Sequence, residues 1–491
     1  MKTFVSRLTA ALLLAVMILS SFACGESSST PAPSADAPSA NNEDGGVVTA
    51  EEETTEDIQY NDNLGSLDFG GKEFRIRTIQ NQNVHNAIDS EEQTGDTYND
   101  ALYLRNRAIE ERFNTKIVET IAPDNNGESK IILAGEDAFE TTSVRCPAAL
   151  TMWEDGLLYS FEKIPNVDLT QPYWSQSLND SISLANQQYV AIGAFDMNVY
   201  DLTYCLLFNK KIAADYSLGD FYGLVGDGKF TMDKMSEQMQ AVLMDVNGDN
   251  EMDVNDQWGY LANSKQVLPD FWIAAGEKSI MKDENDLPYN NMTSERFHSV
   301  FIKTFEIMYD TGVYFSKLPM DADVGTEAIR LFSSNQSLFM DVSLFHIGML
   351  RNMEADFGIL PYPKYNEEQK EYYSRVSYYW CCIVPVTNTD LEFTGAMLEA
   401  LNCESANSVV PAYYEIALKG KFSRDNESEQ MLQLIADNRI VDIGDTTMCD
   451  KIRDGFMGGL FASNTRDKLE SKLASVEKNL AKYIEKIPEQ G

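Results

Sequence analysis

Between residues 74 and 120 the spacing of apolar residues switches from two to about 3.6 and back, and this switch constrains the fold more than any other feature of the chain. Phe74 to Ile79 (FRIRTI) alternates apolar and polar residues, as a strand with one covered face does. Tyr98, Ala101, Leu102, Ile109 and Phe113 then recur at helical spacing, and Thr115 to Thr120 (TKIVET) alternates again. Strand, helix and strand in that order make a βαβ crossover, which pairs its strands in parallel under the helix. Further strands are expected at Phe139 to Val144, Tyr189 to Ala194 and Thr203 to Phe208, with a helical stretch from Ala148 to Leu158 between the first two. The fold class is α/β. In such sheets a ligand sits outside the carboxyl ends of the strands.

The chain has 491 residues, 43% hydrophobic and 24% charged, which suits two lobes better than one domain. Asp and Glu total 77 against 39 Lys and Arg, a net charge of −38 that repels phosphate backbones and argues against nucleic-acid binding. The C-terminus is a packing helix, with Leu469, Leu473, Val476, Leu480, Tyr483 and Ile487 on one stripe. With three His and no C-x-x-C pair, a zinc site has almost no material. Cys205 and Cys381-Cys382 lie in apolar runs, so mostly free, buried thiols are expected.

Residues 1–23 read as a signal peptide: Lys2 and Arg7 precede an apolar stretch from Leu8 to Ala23 that is short for a membrane span. The stretch ends Ser21-Phe22-Ala23-Cys24-Gly25, similar to a bacterial lipobox apart from Ser21, which implies acylation of Cys24. Residues 24–57 then form a tether. From Gly25 to Asp57 the chain holds nine acids and no Lys or Arg, a composition that cannot bury a core. The expected location is the extracellular face of the bacterial cell membrane, held by lipid.

Gly95 to Ala101 running into Arg105 to Asn114, Leu207 to Lys211, Asp356 to Lys364 and Val409 to Tyr414 together resemble the carbohydrate-type extracellular solute-binding proteins of bacterial ABC importers. The resemblance runs from about Leu67 to Leu480 and implies a maltose-binding-protein-like, type II periplasmic-binding-protein fold with a hinge between lobes. It places 67–200 with 380–405 in one lobe, and 201–375 with 406–487 in the other. The implied activity is capture of a sugar or oligosaccharide by a monomer that delivers it to the membrane permease, not catalysis. A lipid-anchored glycan hydrolase is the alternative, since 77 acids offer many carboxylate pairs; a surface adhesin is a more distant one.

A sugar pocket needs aromatic platforms with polar groups among them. Asp196, just after the strand expected at Tyr189 to Ala194, is the candidate hydroxyl acceptor, and Phe271-Trp272 the candidate platform. Tyr379-Trp380 near the hinge, Tyr173-Trp174 at a turn and Trp153 follow them. For each aromatic the competing role is core packing. His346 is expected to be a satisfied buried residue.

Asp245 to Asp256 carries EF-hand spacing. Asp245, Asn247, Asp249, Asp253 and Asp256 fall at positions 1, 3, 5, 9 and 12, and the Glu251 carbonyl falls at position 7, an oxygen set for structural Ca²⁺. Asn250 stands where glycine usually makes the sharp turn, and asparagine tolerates the left-handed conformation required there. Asp256 is one methylene shorter than the usual final Glu. A strand at Trp258 to Leu261, not a second helix, is expected to follow.

Overall fold

The structure is a computed structural model that describes residues 59–79, 84–85, 87–122, 127–318, 327–350, 352–416 and 425–490. The chain divides into two units, Met1–Gln59 and Tyr60–Gly491. The expected signal peptide, Cys24 and the tether lie outside the described residues, and all that follows concerns the second unit.

Eight strands build two four-stranded sheets: β1 (Lys72–Thr78), β2 (Thr115–Ile121), β3 (Thr141–Arg145), β4 (Tyr204–Asn209), β5 (Trp258–Leu261), β6 (Ser337–Ser343), β7 (Phe357–Leu360) and β8 (Trp380–Ile383). The first sheet runs β8-β3-β1-β2 and the second β5-β6-β4-β7. In the first, β1 pairs in parallel with β2 and β3, as the βαβ pattern requires, and β8 is antiparallel. Helix α1 (Thr97–Phe113) makes the crossover. Asp96 caps it by accepting from the Tyr98 and Asn99 N–H groups, and Asn114 ends it at φ +46°. In the second sheet β5 is parallel to β6, while β4 is antiparallel to β6 and β7.

Helix α2 (Cys146–Glu154) starts from β3, and the chain crosses between the sheets at the one-turn helix α3 (Asn198–Asp201). It returns at residues 376–379. The two crossings touch: Thr203 bridges Val376, and the Ser377 N–H donates to the Leu202 carbonyl at 3.0 Å. Helix α4 (Ser264–Ala274) packs against the second sheet's side, and α5 (Leu391–Glu404) follows β8. A π-helical turn at Ser405–Val409 leads into α6 (Val410–Ile416), which packs on α1. Leu469, just before α7 (Glu470–Gln490), and Leu473, Val476, Leu480 and Tyr483 along it are buried, as the periodicity predicts, and Ile487 is half-buried.

Two local expectations shift. No continuous strand forms over Tyr189 to Ala194; Ala191 bridges Cys382 and Gly193 bridges Trp174, each for a single residue. The cause is a turn, in which the Asp196 N–H donates to the Gly193 carbonyl at 3.1 Å while the Asn402 amide fills the place a Cβ on residue 193 would occupy. Helix α2 also stops at Glu154, before the expected Leu158, because Gly156 takes φ +69°. Six cysteines, Cys146, Cys205, Cys381, Cys382, Cys403 and Cys449, are free and buried.

Candidate functional site

The residues singled out for a sugar pocket all lie in the packed interior. Trp272, only 1% exposed, donates its indole N–H to Asp442 at 2.8 Å, and Phe271 stands edge-on to Tyr260 and Tyr362. Tyr173 and Trp174 both donate to Glu399, at 2.5 and 2.9 Å. Trp153 packs against Tyr189, and Tyr379 is fully buried. Trp380 has its backbone bracketed by the Asn198 amide at 2.9 and 3.2 Å. Asp196 is buried too, accepting from the Gly193 N–H at 3.0 Å, and burial pushes its carboxyl up to about 7. Tryptophan and tyrosine carry the largest apolar areas, and the hydrophobic effect draws them inward unless a partner holds them out.

A different set of rings converges where the sheets meet. His85 lies beyond the carboxyl end of β1, Tyr98 in the first turn of α1, Tyr200 and Asp201 on α3, Phe345 just beyond the carboxyl end of β6, and Tyr413 and Tyr414 on α6. The His85 ring stands edge-on to Tyr98, Phe345 and Tyr413, with centroids at 4.8, 5.5 and 5.8 Å. Tyr200 continues the cluster to Tyr413 and Tyr414, each at 5.8 Å. A π-turn precedes α6 and sets the helical phase at which Tyr413 and Tyr414 reach Tyr200. Tyr98 and Tyr413 form a buried floor, while His85, Tyr200, Phe345 and Tyr414 are half-buried and make the rim.

The polar floor is Asp201, whose side chain is 0% exposed. It accepts from His85 Nδ1 at 2.9 Å, from the His85 backbone N–H, and from the Tyr413 hydroxyl at 2.9 Å. Nδ1 is therefore the protonated ring nitrogen facing the carboxylate. The Tyr98 hydroxyl is shielded from solvent yet has no hydrogen-bond partner among the described residues. Burial, then the Asp201 charge, raises the Tyr98 phenol, so it stays a neutral O–H donor. His346 holds Ser343 Oγ at 2.7 Å through Nδ1.

Beside the crossings lies a buried ionic cluster. Arg375 donates to both Asp445 oxygens at 2.6 and 2.8 Å and to Asp270 Oδ1 at 2.9 Å, while Asp341 accepts from the Tyr362 hydroxyl. Arg453 adds Asp445 at 3.4 Å and Ser377 at 3.2 Å. Arg453 also holds Asp454 at 3.0 Å, so four carboxylates face two guanidiniums here, and among the described residues the second oxygens of Asp270 and Asp341 have no hydrogen-bond partner. Burial raises both of these carboxyls, which favours a proton shared between them.

In the Asp245 to Asp256 segment the carboxylates turn onto the loop's own backbone. Asp245 accepts from Gly248 and Asn250 N–H at 2.7 and 2.8 Å, Asp249 from Glu251 at 2.8 Å, and Asp256 from Val246 and Asp253 at 2.9 and 2.7 Å. Asn250 takes φ +65°, the left-handed turn its position requires, and β5 follows as a strand. Among the described residues no three His, Cys, Asp or Glu side chains converge as a metal site. The fit to Ca²⁺ therefore lies in the spacing and the turn, and holding the ion would require the side chains to rotate off their N–H donors.

Two open surface grooves lie away from the rings, one lined by Asp233, His298, Lys303 and Tyr365, the other by Lys210, Phe221 and Tyr222. Neither joins aromatic faces to a buried carboxylate at strand ends, as the His85 cluster does. No described helix is long and apolar enough to cross a membrane.

No protein-family model matches the chain, and no characterised protein matches it in sequence. Solved structures match it. The UspC protein of M. tuberculosis has a TM-score of 0.56 at 11% identity, covering 84% of this chain and 100% of that one. The maltose/maltodextrin-binding domain MalE of Bdellovibrio bacteriovorus, bound to maltotriose, gives 0.52 at 13%, covering 83% and 100%. An ABC substrate-binding protein of Listeria monocytogenes in complex with cycloalternan gives 0.51 at 13%, covering 84% and 99%. The fold is that of the type II periplasmic-binding proteins, similar to the maltose-binding protein, as the sequence blocks implied.

Proposed function

We propose that this two-lobed chain is the solute-binding component of an ABC importer, capturing a sugar or oligosaccharide outside the cell and handing it to the membrane permease. The observation that carries the reading is the ring cluster over Asp201, at the carboxyl ends of β1 and β6 and beside both crossings. Sugar rings offer flat C–H faces edged with hydroxyls. The half-buried rims of Tyr200, Phe345 and Tyr414 suit the faces, and the unpartnered Tyr98 hydroxyl suits an edge oxygen. Structural neighbours bound to maltotriose and cycloalternan support the same class of ligand. Paired crossings supply a joint about which two lobes could close and reopen, as capture and release demand.

The reading extends to a lipid on Cys24, which would keep the loaded protein near its permease at the outer face of the membrane. It also extends to Ca²⁺ in the Asp245 to Asp256 loop, supported by the left-handed Asn250. The test is a thermal-shift and calorimetric screen of the purified protein against mono- and oligosaccharides, with the sugars analysed afterwards. Saturable binding with the sugar recovered intact is expected. Shortened products would favour the hydrolase instead, and no shift with any saccharide would defeat the proposal.

A further inference from the structure

In a chain with 77 acids, arginines of the described residues mostly hold a carboxylate, as Arg75, Arg77, Arg112 and Arg453 do. Three do not. Arg105 spends its donors on Asn106, Ser405 and the Ile88 carbonyl; Arg439 and Arg145 are less fully satisfied. The Arg439 guanidinium lies 4.2 Å over the Tyr200 ring, at the edge of the cluster that floors the proposed sugar site. Its Nε donates to the Ala436 carbonyl at 3.1 Å, but its Nη1 is shielded from solvent without an acceptor among the described residues. Arg145 stands at the carboxyl end of β3, its guanidinium 3.9 Å over Tyr378 and 5.2 Å from the Trp380 ring, and its Nε is likewise shielded without an acceptor among the described residues.

The two arginines flank the same crossing. Tyr200 beneath Arg439 is on α3, the Asn198 amide of α3 brackets Trp380, and Trp380 is the partner of Arg145 in the sheet. Stacking on an aromatic face stabilises a guanidinium but leaves its in-plane N–H groups aimed outward. Shielded, unsatisfied donors are costly, and a planar oxyanion is the acceptor their fork fits best.

We infer that the captured saccharide is anionic, carrying carboxylate or sulfate groups that Arg439 and Arg145 receive while its ring faces lie on the aromatic cluster. This inference rests on the sugar-binding reading above and narrows it. The net charge of −38 repels such a ligand at long range, but over about 8 Å in physiological salt that field is screened, whereas contacts at the shielded guanidiniums are not. Association with an acidic saccharide is therefore expected to quicken as salt rises from low to physiological strength.

The experiment measures binding of trigalacturonate, a sulfated glycosaminoglycan disaccharide and maltotriose to the intact protein by calorimetry. Trigalacturonate or the sulfated disaccharide is expected to bind at least tenfold more tightly than maltotriose, and which of the two wins identifies the oxyanion. Arg439→Gln should cost the preferred acidic probe at least tenfold more affinity than it costs maltotriose, and Arg439→Lys should keep part of the preference. If Arg439→Gln does not fold, as judged by circular dichroism, the wild-type preference and its salt dependence still decide. Maltotriose bound as tightly as both acidic probes would overturn the inference and leave the sugar reading standing. Failure of both acidic probes to bind would likewise overturn the inference, while the sugar reading stands or falls with the wider saccharide screen.

Discussion

Replacing Asp196 by Asn tests how strongly burial controls a single carboxyl. Its ordinary value is 3.8, and burial pushes it to about 7, with the Gly193 N–H opposing the shift in part. The folded chain therefore keeps a proton that the unfolded chain releases across the window from 3.8 to about 7. Stability from this group is full below about pH 4, falls as pH rises, and is lost above about 7. Some three pH units at about 1.4 kcal/mol each give a loss of about 4 kcal/mol. Asparagine keeps an acceptor for the Gly193 N–H and cannot ionise. Urea unfolding at pH 4, 5.5 and 7.5 should show the wild type losing stability relative to Asp196→Asn by up to about 4 kcal/mol across that range. A stability difference that stays constant with pH would refute the assignment of the proton to Asp196.

Arg375→Met leaves Asp270 and Asp445 facing one another without their shared cation and should lower unfolding stability by about 3–5 kcal/mol; a loss under about 1 kcal/mol would mean that protonation alone neutralises the cluster. His85→Ala strips a ring and a donor from Asp201 and should weaken binding of the saccharide found in the screen at least tenfold, about 1.4 kcal/mol, with unchanged affinity moving the site elsewhere. Chelation should lower the melting temperature of the wild type, and Asp249→Ala should melt low and ignore chelator; melting indifferent to both calcium and chelator removes the ion from the loop. Metabolic lipid labelling should mark the wild-type chain and fail on Cys24→Ala, and an unlabelled wild type would defeat the anchor.

The elements legible in the sequence are those fixed by local period: β1, α1 and β2, the strand β4 after α3, and the α7 stripe. The left-handed turn at Asn250 was legible for a similar reason, since one residue type tolerates what the spacing imposes. Tyr189 to Ala194 misled because its alternation reflects two packed sides of an irregular segment held by Asn402, a residue some two hundred positions away. Trp272 and Trp174 attracted attention by size, and size is also what buries them. Tyr98, Tyr413 and Tyr414 lay inside the blocks that carried the family resemblance, but nothing local joins them to His85. Their meeting depends on the packing of α6 against α1 and on a π-turn that leaves no mark in composition.

The six buried thiols give the folded state a chemical role beyond shape. Burial raises every one of them, so the nucleophilic thiolate is scarce and the sulfurs are out of an oxidant's reach while the chain stays folded. Unfolding exposes all six together, and in an oxidising medium random cross-links would then form in competition with refolding. The native packing thus acts as a kinetic shield: survival in an oxidising medium depends less on the equilibrium constant than on how seldom the chain opens and how quickly it closes.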